Sequence, residues 1–270
     1  MPGISPAPDT ELKMYLGIDI GSSSSKVAII DDEGKLRACQ VMNLGTGTKA
    51  YERVKDAALE EAGIKAEDVK FTVATGYGRV NYKDADKQIT EITCHAKGVN
   101  YLTEEARTIV DIGGQDAKII KLDKNGKVSN FVMNEKCAAG TGRFLEVMAR
   151  VLGCEFDDLS DLAKQAEENI AINNVCTVFA ESEVISRLSA GEKIANVARG
   201  AHIAIAKRVM GMANRVSYEP KVVMTGGVAL DEDMVYCLSV EMGCDIEVVP
   251  HCQAAGAIGA AMFAKELFNK

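Results

Sequence analysis

Residues 15–20, near the start of the chain, alternate in hydrophobicity towards a strand, and a second strand is predicted at the apolar run 27–30. The polar turn between them contains Gly21-Ser22-Ser23-Ser24-Ser25. The pattern therefore predicts a β-hairpin with a Gly/Ser tip. It continues with a helix, a strand and a second helix, at residues 51–63, 69–75 and near 89–101.

The same order of elements begins again after residue 107. Strand patterns at 108–111 and 118–122 flank the turn Gly113-Gly114-Gln115-Asp116. Further on, Val222–Val228 combines a buried-strand pattern with a glycine turn, and residues 253–263 predict a helix of small residues. Two halves with one plan predict a duplicated α/β unit whose ligand cleft lies between the halves.

This repetition predicts two domains with a boundary near residues 102–107. Domain I would comprise residues 14–106 and 257–270, and domain II would comprise residues 107–256. Residues 1–13 are predicted to form a disordered leader, because this segment is rich in proline and shows no periodicity.

Composition narrows the classes of function. The chain has 270 residues, of which 47% are hydrophobic, and its 31 basic and 39 acidic residues give a net charge of -8. This length and hydrophobic content suffice for a large core. The sequence has no basic run that would follow a nucleic-acid backbone, no apolar stretch long enough for a membrane span and no signal-peptide pattern. We therefore expect a cytoplasmic protein that binds neither nucleic acid nor membrane.

The turns of the two predicted hairpins suit the binding of nucleotide phosphates. Glycine lets the backbone approach a phosphate, serine hydroxyls and backbone N–H groups donate to it, and Lys26 can neutralise its charge. Asp19 and Asp116 could hold hydrated magnesium from the two halves. The spacing Asp-x-Gly-x-x-x-x-Lys is also common in ordinary turns. Its recurrence, followed by Thr225-Gly226-Gly227, favours the phosphate interpretation.

Two of the eight cysteines, Cys137 and Cys176, are predicted to lead helices. The N-terminus of a helix favours an anion, so each thiol is a candidate thiolate and metal ligand. The chain has no Cys-x-x-Cys motif, so a cluster site would have to be assembled in three dimensions, within one chain or between chains. The alternative for any single cysteine is a small buried apolar residue.

The chain resembles the acetate and sugar kinase, Hsp70 and actin superfamily, with two phosphate loops and an adenosine loop. Within it, the sequence is similar to the activator components of 2-hydroxyacyl-CoA dehydratases, in the BadF/BadG/BcrA/BcrD ATPase family. The resemblance extends over nearly the whole chain from Tyr15 onward and is carried by the motifs Thr75-Gly76-Tyr77-Gly78-Arg79, Asp111-Ile112-Gly113-Gly114-Gln115-Asp116, the segment 134–144 around Cys137, and the segment 176–183 that begins at Cys176.

The resemblance implies an actin-like ATPase fold and a nucleotide site in the cleft. The residues that would cradle the phosphates are Ser22, Ser23, Ser24, Ser25, Lys26, Gly113 and Gly114. Asp19 and Asp116 would organise Mg²⁺, and Gly226, Gly227 and Gln253 would border the adenosine of ATP or ADP. Gln115 and Asp116 are the candidate catalytic residues, with Gln115 orienting the attacking water as glutamines do in other nucleotide hydrolases.

The resemblance also implies a homodimer that carries one oxygen-sensitive 4Fe-4S cluster at its two-fold axis. Cys137 and Cys176 of each chain would supply the four thiolates. Such a protein uses ATP hydrolysis to pass one electron, received from a ferredoxin or flavodoxin, to a 2-hydroxyacyl-CoA dehydratase. Closure of the two halves around ATP would move the helices that follow the two cysteines.

Three alternatives remain open at this stage: the ATPase subunit of a benzoyl-CoA reductase, a small-molecule kinase of the same superfamily, and a non-enzymatic ATP-dependent scaffold. His95, His202 and His251 are assigned no function, because none belongs to a recognisable base-plus-nucleophile arrangement.

Overall fold

The structure is a computed structural model that describes residues 12–47, 49–173 and 175–270. Most of the predicted leader, residues 1–11, lies outside the described residues. The strands are β1 (Met14–Ile20), β2 (Ser25–Asp31), β3 (Leu36–Met42), β4 (Val69–Thr75), β5 (Lys87–Gln88), β6 (Thr108–Ile112), β7 (Ala117–Leu122), β8 (Val128–Asn134), β9 (Val222–Thr225) and β10 (Ile246–Val248). The α-helices are α1 (Ala50–Ala62), α2 (Glu91–Leu102), α3 (Gly142–Leu152), α4 (Leu159–Lys164), α5 (Thr177–Ser189), α6 (Ile194–Arg215), α7 (Glu232–Met242) and α8 (Ala255–Phe268).

The strands form two mixed sheets of the same design. The first sheet has the order β3-β2-β1-β4-β5, and the second has the order β8-β7-β6-β9-β10. In each sheet the first three strands along the chain are antiparallel and the last two join in parallel. The structure thus confirms the predicted duplicated α/β fold.

Strand β1 is buried along its whole length because helices cover both faces of the first sheet. Leu16 and Ile18 pack on the α1 side, whereas Tyr15 points to the opposite side, towards α8. Side chains alternate between the faces of a strand, so a strand covered on both sides is apolar at successive positions.

Helices α2 and α8 touch through their backbones. A Cβ atom at Gly98 would lie 1.8 Å from the carbonyl oxygen of Ala255, and one at Gly259 would lie 1.8 Å from that of Cys94. Glycine at both positions is therefore needed for this close approach. The contact holds α2, which carries cleft residues, against α8 at the back of the first sheet.

Helix α3 packs one apolar face into the second half of the molecule. Phe144, Leu145, Met148 and Leu152 are all buried in the core around the second sheet. Helix α6 and helix α7 complete this core. Within the described part of the chain, no helix combines the length and hydropathy needed to cross a membrane. The exact division into domains I and II stays a prediction.

Candidate functional site

A cavity of about 760 Å³ opens between the tips of the β1–β2 and β6–β7 hairpins. It is lined by most of the residues predicted to bind a nucleotide, which come from both halves: Asp19, Ser22, Ser23, Ser24, Lys26, Gly113, Gly114, Asp116, Gly226, Gly227 and Gln253. Tips of the two sheets therefore meet at one site, as the repeated pattern predicts.

Two residues that were predicted to bind the nucleotide do not line this cavity. Ser25 is buried at the start of β2, and its hydroxyl donates to the carbonyl oxygen of Leu44 at 3.0 Å. Gln115 lies exposed at the tip of the β6–β7 hairpin and does not line the cavity. The roles proposed for their side chains stay predictions.

Asp19 leaves one oxygen available to a ligand. The residue is buried at the end of β1, where its Oδ2 lies 3.5 Å from the ammonium of Lys26. Its Oδ1 is buried without a hydrogen-bond partner among the described residues. A buried, unpaired carboxylate oxygen is costly, and a bound cation or its water shell would satisfy it.

The second hairpin tip is tied to the start of α3. The backbone N–H groups of Gly142 and Arg143 donate to the carbonyl oxygens of Gly113 and Gly114, both at 2.8 Å. The tip also closes on itself, since the Gly113 N–H donates to the Asp116 carbonyl at 2.9 Å. A displacement of this tip by a bound phosphate would therefore act directly on α3.

A buried ionic cluster at the base of the cavity surrounds Lys118. The ammonium lies 2.8 Å from Glu91, 3.0 Å from Asp111 and 2.8 Å from Asp116, and the side chain is 1% exposed. His95 adds a second cation, with its Nε2 3.2 Å from Asp111. Four of the five side chains in this cluster are buried, and all five line the cavity.

Charge pairing sets the protonation of this cluster. Burial alone would raise the pKa of Asp111, but Lys118 and His95 outweigh it and hold the pKa well below its usual value. For His95 burial acts in the opposite direction and would lower the pKa, but Asp111 raises it to about 9. The pKa of Lys118 is raised well above its usual value by its three carboxylates, against the effect of burial. Burial raises the pKa of Glu91, partly offset by Lys118.

Glu91, His95 and Asp111 place three possible metal-ligand atoms within 4.8 Å of one another. The geometry favours an ion-pair network, because the Lys118 ammonium already contacts Glu91 and Asp111, and Asp111 raises the pKa of His95 to about 9.

Lys118 and Glu91 were not identified from the sequence, and His95 was left without a function. One signal was present: Glu91 and His95 are four residues apart on α2, which places them on one helix face. The pairing of Lys118 with Asp111 depends on the β6–β7 register, in which the two residues lie opposite each other.

The two candidate cluster cysteines differ in local structure. Cys176 is the N-cap residue of α5, as predicted, and its carbonyl accepts the N–H of Ala180 at 3.0 Å. The prediction that Cys137 leads a helix was wrong, because α3 begins only at Gly142 with Thr141 as its N-cap. Cys137 instead lies in the loop after β8, because Gly140 has a positive φ of +86°, which is incompatible with a right-handed helix at this position.

Both thiols are half-buried, and none of the eight cysteines forms a disulfide. Burial raises the pKa of the other six thiols: to about 11 for Cys39, to about 12 for Cys94 and Cys237, and also for Cys154, Cys244 and Cys252. Burial therefore disfavours the thiolate form at these six positions.

Comparison with known proteins adds a family match. The model of the BadF/BadG/BcrA/BcrD ATPase family matches residues 16–264. The chain is 52% identical to the activator of lactoyl-CoA dehydratase from Anaerotignum propionicum, over 95% of this chain and 100% of the relative. It is 34% identical to one of the subunits of benzoyl-CoA reductase from Thauera aromatica, over 92% of this chain and 91% of that one.

A solved structure agrees with the fold over nearly the same span. The activator of the 2-hydroxyisocaproyl-CoA dehydratase from Clostridium difficile, with bound ADPNP, superimposes with a TM-score of 0.91 at 45% sequence identity. The match covers 95% of this chain and 96% of the other. Its bound nucleotide analogue supports a nucleotide site in this fold.

Proposed function

The chain belongs to the BadF/BadG/BcrA/BcrD ATPase family, and on that premise we propose that it couples ATP hydrolysis to one-electron activation of a 2-hydroxyacyl-CoA dehydratase. The observation that carries the proposal is the cavity lined by both hairpin tips, one of which is hydrogen-bonded to α3. The 52% identity to the activator of lactoyl-CoA dehydratase supports the dehydratase as partner.

ATP would bind with its phosphates between the two hairpin tips. Ser22, Ser23 and Ser24 can donate from the first tip, and the glycines of the second tip allow close backbone approach. Asp19, through its unpaired Oδ1, and Asp116 would hold Mg²⁺, while Gly226, Gly227 and Gln253 would border the adenosine. Gln115 would orient water only if nucleotide binding turns its exposed side chain towards the cavity.

A 4Fe-4S cluster would be held by Cys137 and Cys176 of two chains. A cubane needs four thiolates, and a two-fold axis doubles the two that one chain offers. The surface beside Cys176 fits such an interface, since Val175, Val178 and Phe179 are each about two-thirds exposed. When bound, the cluster supplies storage and transfer of a single electron.

The hydrogen bonds between the second tip and α3 offer the route from nucleotide to cysteine. Gly142 and Arg143 follow the loop of Cys137 by only a few residues, and their N–H groups are held by Gly113 and Gly114. A nucleotide that binds the open and closed cleft with different affinity would therefore shift the position of this loop. A ferredoxin or flavodoxin would serve as electron donor.

Iron analysis tests the proposal most directly. Protein purified without oxygen is expected to hold about four iron and four sulfide per dimer. The Cys137→Ser and Cys176→Ser variants should lose this iron, whereas Cys244→Ser, at a half-buried thiol elsewhere, should keep it. Absence of iron from reconstituted wild-type protein would contradict the proposal.

Partner assays separate the proposal from its second candidate, the ATPase subunit of a benzoyl-CoA reductase, to which the chain is also related. With ATP and a reductant, the iron-loaded protein should switch on a purified lactoyl-CoA or 2-hydroxyglutaryl-CoA dehydratase at substoichiometric amounts. Stimulation of benzoyl-CoA reduction instead would favour the second candidate.

A further inference from the structure

A second cavity, of about 400 Å³, lies between α6 and β8, away from the nucleotide cavity. We call it the basic groove; it is lined by Val132, Met133, Asn134, Lys207, Arg208, Gly211, Met212 and Arg215. None of these residues was assigned a function from the sequence. None of them lines the nucleotide cavity either.

The charge of the basic groove is unbalanced. Lys207, Arg208 and Arg215 have no carboxylate within ion-pairing distance among the described residues, whereas Arg187 on α5 and Arg199 on α6 are paired with Glu183 and Asp233. The chain as a whole carries a net charge of -8. Three unpaired cations on an acidic protein mark a local site for an anionic partner.

Gly211 keeps the floor of the groove open. It lies within α6, midway between Lys207 and Arg215, where glycine lowers helix stability relative to alanine. No contact requires it, since a Cβ atom at this position would meet nothing within 4 Å in the described structure. The missing side chain thus has no packing purpose within the chain, and it leaves room for a ligand.

The groove adjoins the loop that carries Cys137. Asn134, in its wall, donates from Nδ2 to the carbonyl oxygens of Cys137 at 2.8 Å and Ala139 at 3.0 Å. The aliphatic part of Arg208 lies against Gly140, where a Cβ atom would be only 2.9 Å from Arg208 Cγ. A molecule bound in the groove would therefore sit beside the loop that carries the proposed cluster ligand.

We propose that the basic groove is the docking site for an acidic protein that donates electrons to the cluster; this inference rests on the proposed function. Lys207 and Arg215 are eight residues apart on one helix face, or about 12 Å. That span suits a row of carboxylates on a protein surface better than a single phosphate.

The nature of the surface favours an electron donor over a lasting partner. A donor must bind and leave for each electron, and electrostatic steering gives fast, short-lived encounters. The exposed apolar residues beside Cys176 suit a more durable contact instead. In the step served by docking, one electron leaves the reduced donor and enters the oxidised cluster, with no bond formed or broken.

Binding of an oxidised, acidic bacterial ferredoxin provides the first test and does not depend on electron transfer. Its dissociation constant is measured by calorimetry at roughly 0.02 M and 0.5 M NaCl, with wild-type protein and with the Lys207→Glu/Arg215→Glu variant. We expect affinity to fall about tenfold or more in the variant at low salt, and the difference to vanish at high salt.

The matched control is the Arg53→Glu/Lys70→Glu variant, which reverses two exposed cations in the first half of the chain. It changes the net charge by the same amount as the groove variant. It should bind the ferredoxin nearly as wild-type protein does. A further variant, Gly211→Gln, fills the groove without altering charge, and it should weaken binding at both salt concentrations.

Reduction kinetics test the purpose of docking. Reduced ferredoxin should reduce the cluster about tenfold more slowly in the groove variant than in the control, while the small methyl viologen radical should reduce all variants within about twofold of wild type. If wild-type protein holds iron and accepts electrons from viologen, but groove and control variants behave alike with ferredoxin, the docking inference alone is wrong.

Two other outcomes would also overturn the inference. Wild-type protein without iron would remove the proposed function, and the docking role would fall with it. If the groove variants sediment as monomers while wild-type and control proteins sediment as dimers, the groove holds a second copy of the chain rather than a donor.

Discussion

Replacing Lys118 by methionine should destabilise the fold strongly, because it leaves three carboxylates around a buried site without their shared cation. The ammonium lies 2.8 Å from Glu91, 3.0 Å from Asp111 and 2.8 Å from Asp116. Removing one partner from a buried ion pair typically costs about 3–5 kcal/mol. Methionine keeps the length and packing of the side chain, so the expected loss of about 3–5 kcal/mol reflects charge.

This loss should depend on pH. In wild-type protein the pKa of Asp111 lies well below its unfolded value of 3.8, so its contribution is present above that value and is lost as pH falls. In the Lys118→Met variant, the carboxylates of the folded cluster take up protons more readily than in the unfolded chain. Stability of the variant therefore rises as pH falls, and its deficit against wild type should shrink between about pH 7 and 5.

Urea unfolding followed by circular dichroism measures the effect, since the chain has no tryptophan. The control is Lys121→Met, three residues away on the same strand, where the ammonium pairs with Glu219 at the surface. Its unfolding midpoint should stay close to that of wild type. A deficit below about 1 kcal/mol for Lys118→Met, or one that does not shrink at lower pH, would refute the reasoning.

The nucleotide site, His95 and the cluster each give a further prediction. Gln115→Ala should lower Mg²⁺-dependent ATPase activity by roughly tenfold or more if Gln115 positions the attacking water, and a folded variant with full turnover would exclude that role. The pKa of His95 is about 9 in the folded protein against 6.5 in the unfolded chain, so its stabilisation is complete below pH 6.5 and is lost as pH rises through 9. Wild-type protein should therefore lose more stability than the His95→Gln variant between pH 6.5 and 9. Urea unfolding of both proteins at each pH measures this difference. Iron should leave the protein to a chelator at different rates in the ADP and ATP states, and equal rates would contradict coupling between cleft and cluster.

The hairpins could be predicted because strands and tight turns are encoded by residues that are close together in the sequence. The strand pattern of β1 and the Gly/Ser tip act on neighbouring residues, and the structure confirms both strands of the hairpin, although β1 is buried at every position. The apolar face of α3 is likewise a local feature, because its residues recur at the helical period. The recurrence of one plan in both halves then predicted the shared cavity.

The ionic cluster could not be predicted in this way, because it is assembled from separate elements. Glu91 and His95 come from α2, Asp111 from β6 and Lys118 from β7. Only strand register and helix packing bring their charges together. The error at Cys137 has a local cause: Ala138 and Ala139 favour a helix, but Gly140 adopts a left-handed conformation and delays its start to Gly142.

The glycine contact between α2 and α8 bears on how the two halves can move. Helix α2 connects the first sheet to β6, and α8 follows β10 and returns the chain to the first sheet. In the described part of the chain, the two connections between the sheets therefore touch at Gly98 and Gly259. A methyl group at either glycine would lie 1.8 Å from a backbone carbonyl oxygen of the other helix, so it would force the two helices apart. Because both connections between the sheets pass through this contact, such a substitution would also change how the two sheets face each other across the cavity.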